Sequence, residues 1–157
     1  MLRMKIALGA DHAGFELKEA IKQKLAAQGV TVDDRGTDST MSCDYPDFAR
    51  KVAEEVAAHG VDLGILVCST GIGMSIAANK VPGIRAAKVD TEFEAARSRE
   101  HNDANVLALG ASVIDQPTAF KIVDKWLATQ FAGGRHERRV EKIAAIERED
   151  EGQAAKA

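Results

Sequence analysis

The chain has 157 residues, of which 45% are hydrophobic, and a formal net charge of −3 at pH 7. This length suits one domain with a full hydrophobic core, and the hydrophobic content argues against disorder. The mildly acidic balance argues against a broad nucleic-acid-binding surface. No apolar run is long enough for a signal peptide or a membrane span, so we expect a cytoplasmic protein that binds neither nucleic acid nor membrane.

Short β-like runs alternate with amphipathic stretches along the chain. The predicted strands are residues 4–9, 30–34, 62–68, 84–89 and 105–110. The stretches between them repeat apolar residues at helical spacing: Leu17, Ile21 and Leu25; Phe48, Val52 and Val56; and Phe120, Val123, Leu127 and Phe131, in a helix predicted over 117–131. In the first stretch, the polar faces carry Glu16, Lys18, Glu19 and Lys22. This alternation predicts right-handed βαβ units, with a five-stranded parallel sheet covered by helices on both faces.

The predicted domain organisation is simple. We expect residues 1–150 to form a single domain and residues 151–157, which are small and polar, to form a tail that frays. The two cysteines, Cys43 and Cys68, form no C-x-x-C pair, so neither a disulfide framework nor a zinc site is expected.

The loops after the first and third strands are the first candidate site. Ligands of open parallel sheets bind beyond the carboxyl ends of the strands, and the loops Gly9–His12 and Cys68–Gly71 flank such a crevice if these strands are neighbours. A helix N-terminus after Cys68 would stabilise a thiolate, which suits a nucleophile or a general base. The alternative is a small buried hydrophobic residue. Gly71 and Gly73 favour the functional interpretation, because they let backbone N–H groups approach a ligand oxygen.

Known phosphate- and nucleotide-binding motifs do not fit these loops. A Walker A sequence is absent, the tyrosine-phosphatase loop would need Arg where Met74 stands, and a response regulator would need Asp in place of Cys68. The first loop also lacks the G-x-G-x-x-G of a dinucleotide site. Asp11 and His12 suit a helix cap and ligand binding about equally well.

A second polar group falls at the opposite end of the predicted sheet. His101 and Asn102 precede the fifth strand, and Arg135 and Arg139 follow the helix that runs back from it. Arginines at i and i+4 share a helix face and suit a phosphate dianion, although they also fit a solvated tail, and His101 also fits a helix C-cap. Both groups serve one small substrate only if two chains pair, with the amino end of one against the carboxyl end of the other.

Five motifs in order then give the chain a recognisable pattern. They are Gly9–His12, Asp44–Pro46, Cys68–Lys80, His101–Leu107 and Gly133–Arg139. Over roughly residues 4–147 the sequence resembles the type B ribose-5-phosphate isomerases, a group that includes allose-6-phosphate isomerase and the galactose-6-phosphate isomerase subunits. Ser69 departs from the pattern, since the family usually has glycine there. The His-Asn pair at 101–102, which the galactose branch usually lacks, favours the pentose or allose branch.

The resemblance implies a three-layer α/β/α Rossmann-like fold with a C-terminal helix. It also implies an enzyme of the pentose phosphate pathway that interconverts ribose 5-phosphate and ribulose 5-phosphate through an enediolate. No metal or cofactor is implied. A homodimer with shared sites, alone or paired into a tetramer, is expected.

The resemblance also implies a role for each matching residue. Cys68 is the general base. The enediolate is bound by backbone N–H groups of the loop, with Ser69 beside them. These N–H groups belong to Gly71, Ile72, Gly73 and Met74. Thr70 and Asp11 handle hydroxyl protons. The partner's His101 opens the sugar ring, and Asn102 binds hydroxyl groups. Tyr45 contacts the substrate. The phosphate is bound by His12 together with the partner's Arg135 and the partner's Arg139.

Two alternatives stay open. The chain is an isomerase of another sugar phosphate, such as allose 6-phosphate or a tetrose phosphate, or it is a catalytically idle sugar-phosphate-binding module. The joint presence of Cys68, Thr70 and His101 disfavours the idle module.

Overall fold

The computed structural model describes residues 3–156 and places a five-stranded sheet at the centre of this part of the chain. All strand pairs are parallel, and the order is β2-β1-β3-β5-β4. The strands are β1 (Lys5–Ala10), β2 (Thr31–Asp34), β3 (Leu63–Cys68), β4 (Ala86–Lys88) and β5 (Val106–Gly110). The helices are α1 (Phe15–Ala27), α2 (Tyr45–Ala57), α3 (Ile72–Ala78), α4 (Glu92–Glu100), α5 (Gln116–Ala128) and α6 (Arg135–Lys156). The α/β class and the five parallel strands are confirmed.

Two hydrophobic cores, one on each face of the sheet, make the three layers. The apolar faces of α1, α4 and α5 pack on one side, where Trp126 is fully buried. The helices α2 and α3 pack on the other, around Val52 and Met74. The central strands β3 and β5 are buried along their whole length, which explains why both are nearly continuous apolar runs rather than alternating ones.

The strand β4 is shorter than the predicted 84–89. Its ladder with β5 begins only at Ala86, and side-chain amides bind the backbone N–H groups of Arg85 and Ala86 at this start. Arg85 N–H donates to Asn105 Oδ1 at 2.8 Å, and Ala86 N–H donates to Asn79 Oδ1 at 2.8 Å. The amide side chains therefore set the start of this edge strand.

Helix α5 ends at Ala128, three residues before the predicted end. Thr129 takes an extended conformation, and its hydroxyl donates to the Lys125 carbonyl at 2.6 Å. Phe131 therefore lies outside the helix, and the predicted apolar stripe is only partly right. Its member Val123 is buried, but the buried face is centred on Ile122 and Trp126 instead.

Lys18 is the clearest error in the predicted helix faces. The sequence places it on a polar face of α1, whereas its side chain is only 1% exposed. Its Nζ donates to Asp34 Oδ1 and Oδ2 at 2.8 and 2.9 Å and to the Thr37 carbonyl at 2.6 Å. The ammonium thus joins α1 to the end of β2 and to the loop that follows.

The helix α6 reaches Lys156 and includes most of the segment 151–157 for which the sequence predicts a frayed tail. Residue 157 lies outside the described residues, and the single-domain boundary at 150 stays a prediction. Within residues 3–156, none of the helices combines the length and the apolar character that crossing a bilayer requires.

Candidate active site

The first candidate site lies where β1 and β3 end side by side. Ala10 is opposite Val67 in the ladder, and the Asp11 N–H donates to the Val67 carbonyl at 3.3 Å. Asp11 is buried, and its Oδ1 accepts the N–H groups of Ala13 and Gly14 at 3.0 and 3.1 Å. The carboxylate therefore binds the turn before α1 rather than capping the helix, whose N-cap is Gly14. It also lies beside the end of the strand that carries Cys68, so a role in ligand binding stays a prediction.

Cys68 is the last residue of β3 and is 5% exposed. The backbone N–H of Gly71 donates to its Sγ at 3.2 Å, just before α3 begins. The donor fixes the position of the sulfur at the start of the loop, beside the first turn of α3. The predicted placement of the thiol between a strand and a helix is confirmed.

The backbone of the loop after Cys68 requires glycine. Gly71 has φ = +80°, and an added Cβ would lie 3.0 Å from the carbonyl carbon of Leu109. Thr70 Oγ1 accepts the Ile72 N–H at 3.2 Å. The N–H groups of Gly71 and Ile72 are therefore engaged within the loop. Those of Gly73 and Met74, in the first helical turn, have no intrahelical acceptor and are available to a ligand.

Tyr45 closes one side of this loop. It begins α2, is 40% exposed, and its ring lies so close to Gly73 that an added Cβ would sit 2.6 Å from two ring carbons. His12 lies on the other loop, where its Nδ1 accepts the Cys43 N–H at 3.2 Å. This bond places the proton of the neutral imidazole on Nε2, which is free to donate.

Ser69 has a partner that the sequence analysis did not find. Its Oγ lies 3.0 Å from the Oγ of Ser112, and its carbonyl accepts the Ser112 N–H at 2.9 Å. The loop after β5 is thereby tied to the loop after β3. No local pattern reveals this pairing, because the two serines are 43 residues apart and meet only when β3 and β5 lie side by side.

The second predicted group lies at the opposite end of the sheet. Cys68 pairs with Gly110 at the carboxyl end of β5, whereas His101 is the C-cap of α4 and precedes the amino end of β5. The strand alone spans about 13 Å, since each residue rises about 3.3 Å. Arg135 and Arg139, both exposed, begin α6 at that end. One chain thus does not bring the two groups together.

His136 is a further residue at this end that the sequence analysis did not single out. Its ring stacks on that of His101, with the ring centroids 4.1 Å apart and the planes inclined by 13°. His101 also serves as a helix C-cap, as the alternative interpretation held. The exposed Asn102 lines a shallow cavity with Ile143 of α6.

Metal-ligating side chains do not gather in the described part of the chain. Within residues 3–156, no group of three or more His, Cys, Asp or Glu side chains is arranged to hold an ion. Independence from metals stays a prediction, to be tested by chelation.

Comparison with known proteins assigns the family. The sequence profile of the Ribose/Galactose Isomerase family matches residues 6–143. The chain belongs to this family. It is 53% identical over 143 residues to ribose-5-phosphate isomerase B of Escherichia coli, covering 91% of this chain and 96% of that protein. The structure of Clostridium thermocellum ribose-5-phosphate isomerase B superposes with a TM-score of 0.92 at 53% identity, covering 93% and 99% of the two chains.

A third relative was solved with a sugar phosphate. The structure of ribose-5-phosphate isomerase B from Mycoplasma genitalium with bound ribulose-5-phosphate matches with a TM-score of 0.91 at 42% identity, covering 95% of this chain and 99% of that one. The sequence-based recognition of the family and the Rossmann-like fold are thus confirmed. The roles of individual residues stay proposals.

Proposed function

We propose that this chain is a ribose-5-phosphate isomerase that interconverts ribose 5-phosphate and ribulose 5-phosphate, with Cys68 as the general base. The observation that carries the proposal is the position of Cys68, whose Sγ accepts the Gly71 N–H at the carboxyl end of β3. Membership of the family and the names of the relatives support the substrate. The reaction needs one group that alternately takes and returns a proton between adjacent carbons, and a thiolate suits this task.

The proton transfer proceeds in two balanced steps. The Cys68 thiolate removes the proton from C2 of the open-chain aldose, while the C1 carbonyl oxygen gains the electron pair and an enediolate forms. The resulting thiol returns the proton to C1, and the C2–O bond becomes the ketone while a hydroxyl proton moves from O2 to O1. Thr70 and Asp11 are the proposed carriers of the hydroxyl proton, since both lie beside the end of β3.

The negative charge of the enediolate needs donors fixed in advance. The N–H groups of Gly73 and Met74 fit this role, because helix geometry leaves them unpaired and they follow directly after the loop that holds Cys68. The N–H groups of Gly71 and Ile72, also expected to contribute, are engaged by Cys68 and Thr70. They act by shaping the loop and by holding the sulfur of Cys68 in position.

We further propose a homodimer in which each site combines the carboxyl end of one chain with the amino end of the other. Cys68 and His101 lie at opposite ends of one sheet, yet ring opening and proton transfer act on one small sugar. The partner subunit's His101 would open the furanose ring, and the partner's Arg135 and the partner's Arg139 would bind the phosphate. Exposed apolar side chains at both ends, Ile72 (53%) and Ile143 (44%), favour such an interface.

Turnover measurements with matched variants test the proposal. We expect conversion of ribose 5-phosphate by the wild type, a loss of about 10²–10⁴-fold in Cys68→Ala, as expected for a general base, and near-normal activity in the control Cys43→Ala. Cys43 is the other free cysteine. Near-normal turnover in Cys68→Ala would contradict its role as the base.

A comparison of substrates separates the remaining alternatives. Rates on ribose 5-phosphate, allose 6-phosphate and erythrulose 4-phosphate are measured side by side. Faster turnover of the hexose or tetrose phosphate would reassign the substrate but keep the reaction. Binding without turnover of any of the three would instead identify an idle binding module.

A further inference from the structure

A pair of stacked imidazoles lies at the amino end of the sheet. His101 ends α4, His136 lies in the first turn of α6, and the ring centroids are 4.1 Å apart with the planes inclined by 13°. The backbone fixes this approach, because the Ala132 N–H, just before α6, donates to the Glu100 carbonyl at 3.1 Å. The stack is therefore built into the fold of each chain.

The two rings differ in exposure and in their charged neighbours. His136 is 9% exposed, whereas His101 is half-buried. Burial lowers the pKa of His136, and the nearby His101, Arg135 and Arg139 lower it further, while Glu100 opposes them. A pKa held below the ordinary 6.5 leaves the His136 ring neutral at pH 7.

We propose that His136 is a positioning residue: its ring, stacked on that of His101, holds the His101 ring in a fixed orientation. The inference rests on the proposed function, in which His101 opens the sugar ring. A general acid needs both a defined direction and a proton that it can donate near neutral pH. Stacking supplies the direction, and a neutral His136 places no second positive charge against the His101 ring.

Phosphate binding is the competing role for His136, since Arg135 and Arg139 flank it. Burial disfavours that role. His136 is only 9% exposed and its ring is stacked against that of His101, whereas Arg135 and Arg139 are both exposed. A phosphate from solvent therefore reaches the two arginines more readily than the His136 ring.

Histidine titration by NMR tests the stack in the ligand-free full chain, independently of activity. The chain has four histidines, so single variants assign every signal. We expect His136 to titrate below the ordinary histidine value of 6.5 in the wild type. In His101→Asn it should titrate at higher pH, because the neighbouring cation is gone. An unchanged titration of His136 in that variant, or a wild-type His136 that titrates above 6.5, would overturn the proposal.

Kinetics of His136 variants test the positioning role. His136→Ala removes the stacking surface, and we expect kcat on ribose 5-phosphate to fall at least about ten-fold, part of what acid catalysis contributes, with little change in KM. His136→Phe keeps an aromatic ring and should retain more of kcat. His59→Ala changes an exposed histidine after α2 and serves as the control.

A double variant separates the competing roles. In the His101→Asn background, His136→Ala should cause no further loss, because His136 acts through His101. A further rise in KM there would assign His136 to the phosphate and overturn the proposal. If the titrations are coupled but His101→Asn keeps full turnover, the proposed role of His101 fails and the positioning role fails with it. If the titrations are uncoupled and His101→Asn is inactive, only the positioning role fails.

Discussion

Replacing Lys18 by methionine removes a positive charge that is both buried and paired with a carboxylate. Lys18 is 1% exposed, and its ammonium contacts Asp34, Glu19 and the Thr37 carbonyl. Methionine fills a similar volume but leaves Asp34 and the carbonyl without this donor. Asp34 keeps Lys22 and the Gly36 N–H, and its side chain is 20% exposed. We therefore expect the lower end of the usual cost of breaking a buried pair, about 3 kcal/mol.

Thermal unfolding measures this loss. For a chain of this length, 1 kcal/mol shifts Tm by about 2–4 °C, so Lys18→Met should melt about 6–12 °C below the wild type. All proteins are compared at one chain concentration, since oligomers gain stability by mass action. The control is Lys22→Met, which removes a 41% exposed partner of the same carboxylate and should cost less than about 1 kcal/mol. Equal losses in the two variants would refute the argument from burial.

The pH dependence of this difference is a second check on the same reasoning. Burial alone would raise the pKa of Asp34, but hydrogen bonds from Lys18, the Gly36 N–H and Lys22 outweigh it and hold the pKa below the ordinary 3.8. A depressed folded-state pKa stabilises the fold above pH 3.8, and the contribution is lost as pH falls through the folded value. The difference in Tm between wild type and Lys18→Met should therefore become smaller below pH 4. A difference that stays constant with pH would show that the lost stability does not come from the ion pair with Asp34.

Three further outcomes follow from the site. Arg139→Ala should raise KM for ribose 5-phosphate roughly 10- to 100-fold, because a charge-assisted contact with the phosphate is lost. Arg138→Ala, which changes an exposed neighbour, should leave KM unchanged. An equal rise in KM in both variants would mean that Arg139 acts structurally. Ser112→Ala removes the hydroxyl partner of Ser69, and kcat should fall roughly 2- to 10-fold, the value of one hydrogen bond, with no further loss when Ser69→Ala is added. Exhaustive chelation should leave turnover intact, and a loss restored by a divalent ion would refute the expected independence from metals.

Much of the fold was predictable from the sequence because its signals are local. Alternation of apolar strands with amphipathic helices gave the α/β class, and the placement of Cys68 between β3 and α3 followed from an apolar run that ends in a glycine-rich loop. The errors arose where a distant partner decides the local structure. The side-chain amides of Asn79 and Asn105 shorten β4, and Asp34, 16 residues away, draws Lys18 into the interior.

The site was predictable to the same extent and for the same reason. Residues with a motif of their own, such as Asp11, Cys68 and His101, could be singled out from the sequence, and their roles stay proposals. Ser112 and His136 were missed, because their meaning comes from the partner each meets in space. The separation of Cys68 from His101 could be deduced from strand direction alone, since a residue before a parallel strand lies at the opposite end from a residue after its neighbour.

The activity of a mixed dimer tests the central claim most directly, namely that each active site is shared between chains. Cys68→Ala chains with one affinity tag are refolded with His101→Asn chains carrying another, and dimers that hold both tags are purified. In a shared arrangement, one of the two sites combines an intact Cys68 with an intact His101, so about half of the wild-type activity should return. If the purified mixed dimer is no more active than its two parents, both residues serve the same chain's site, and the account is contradicted.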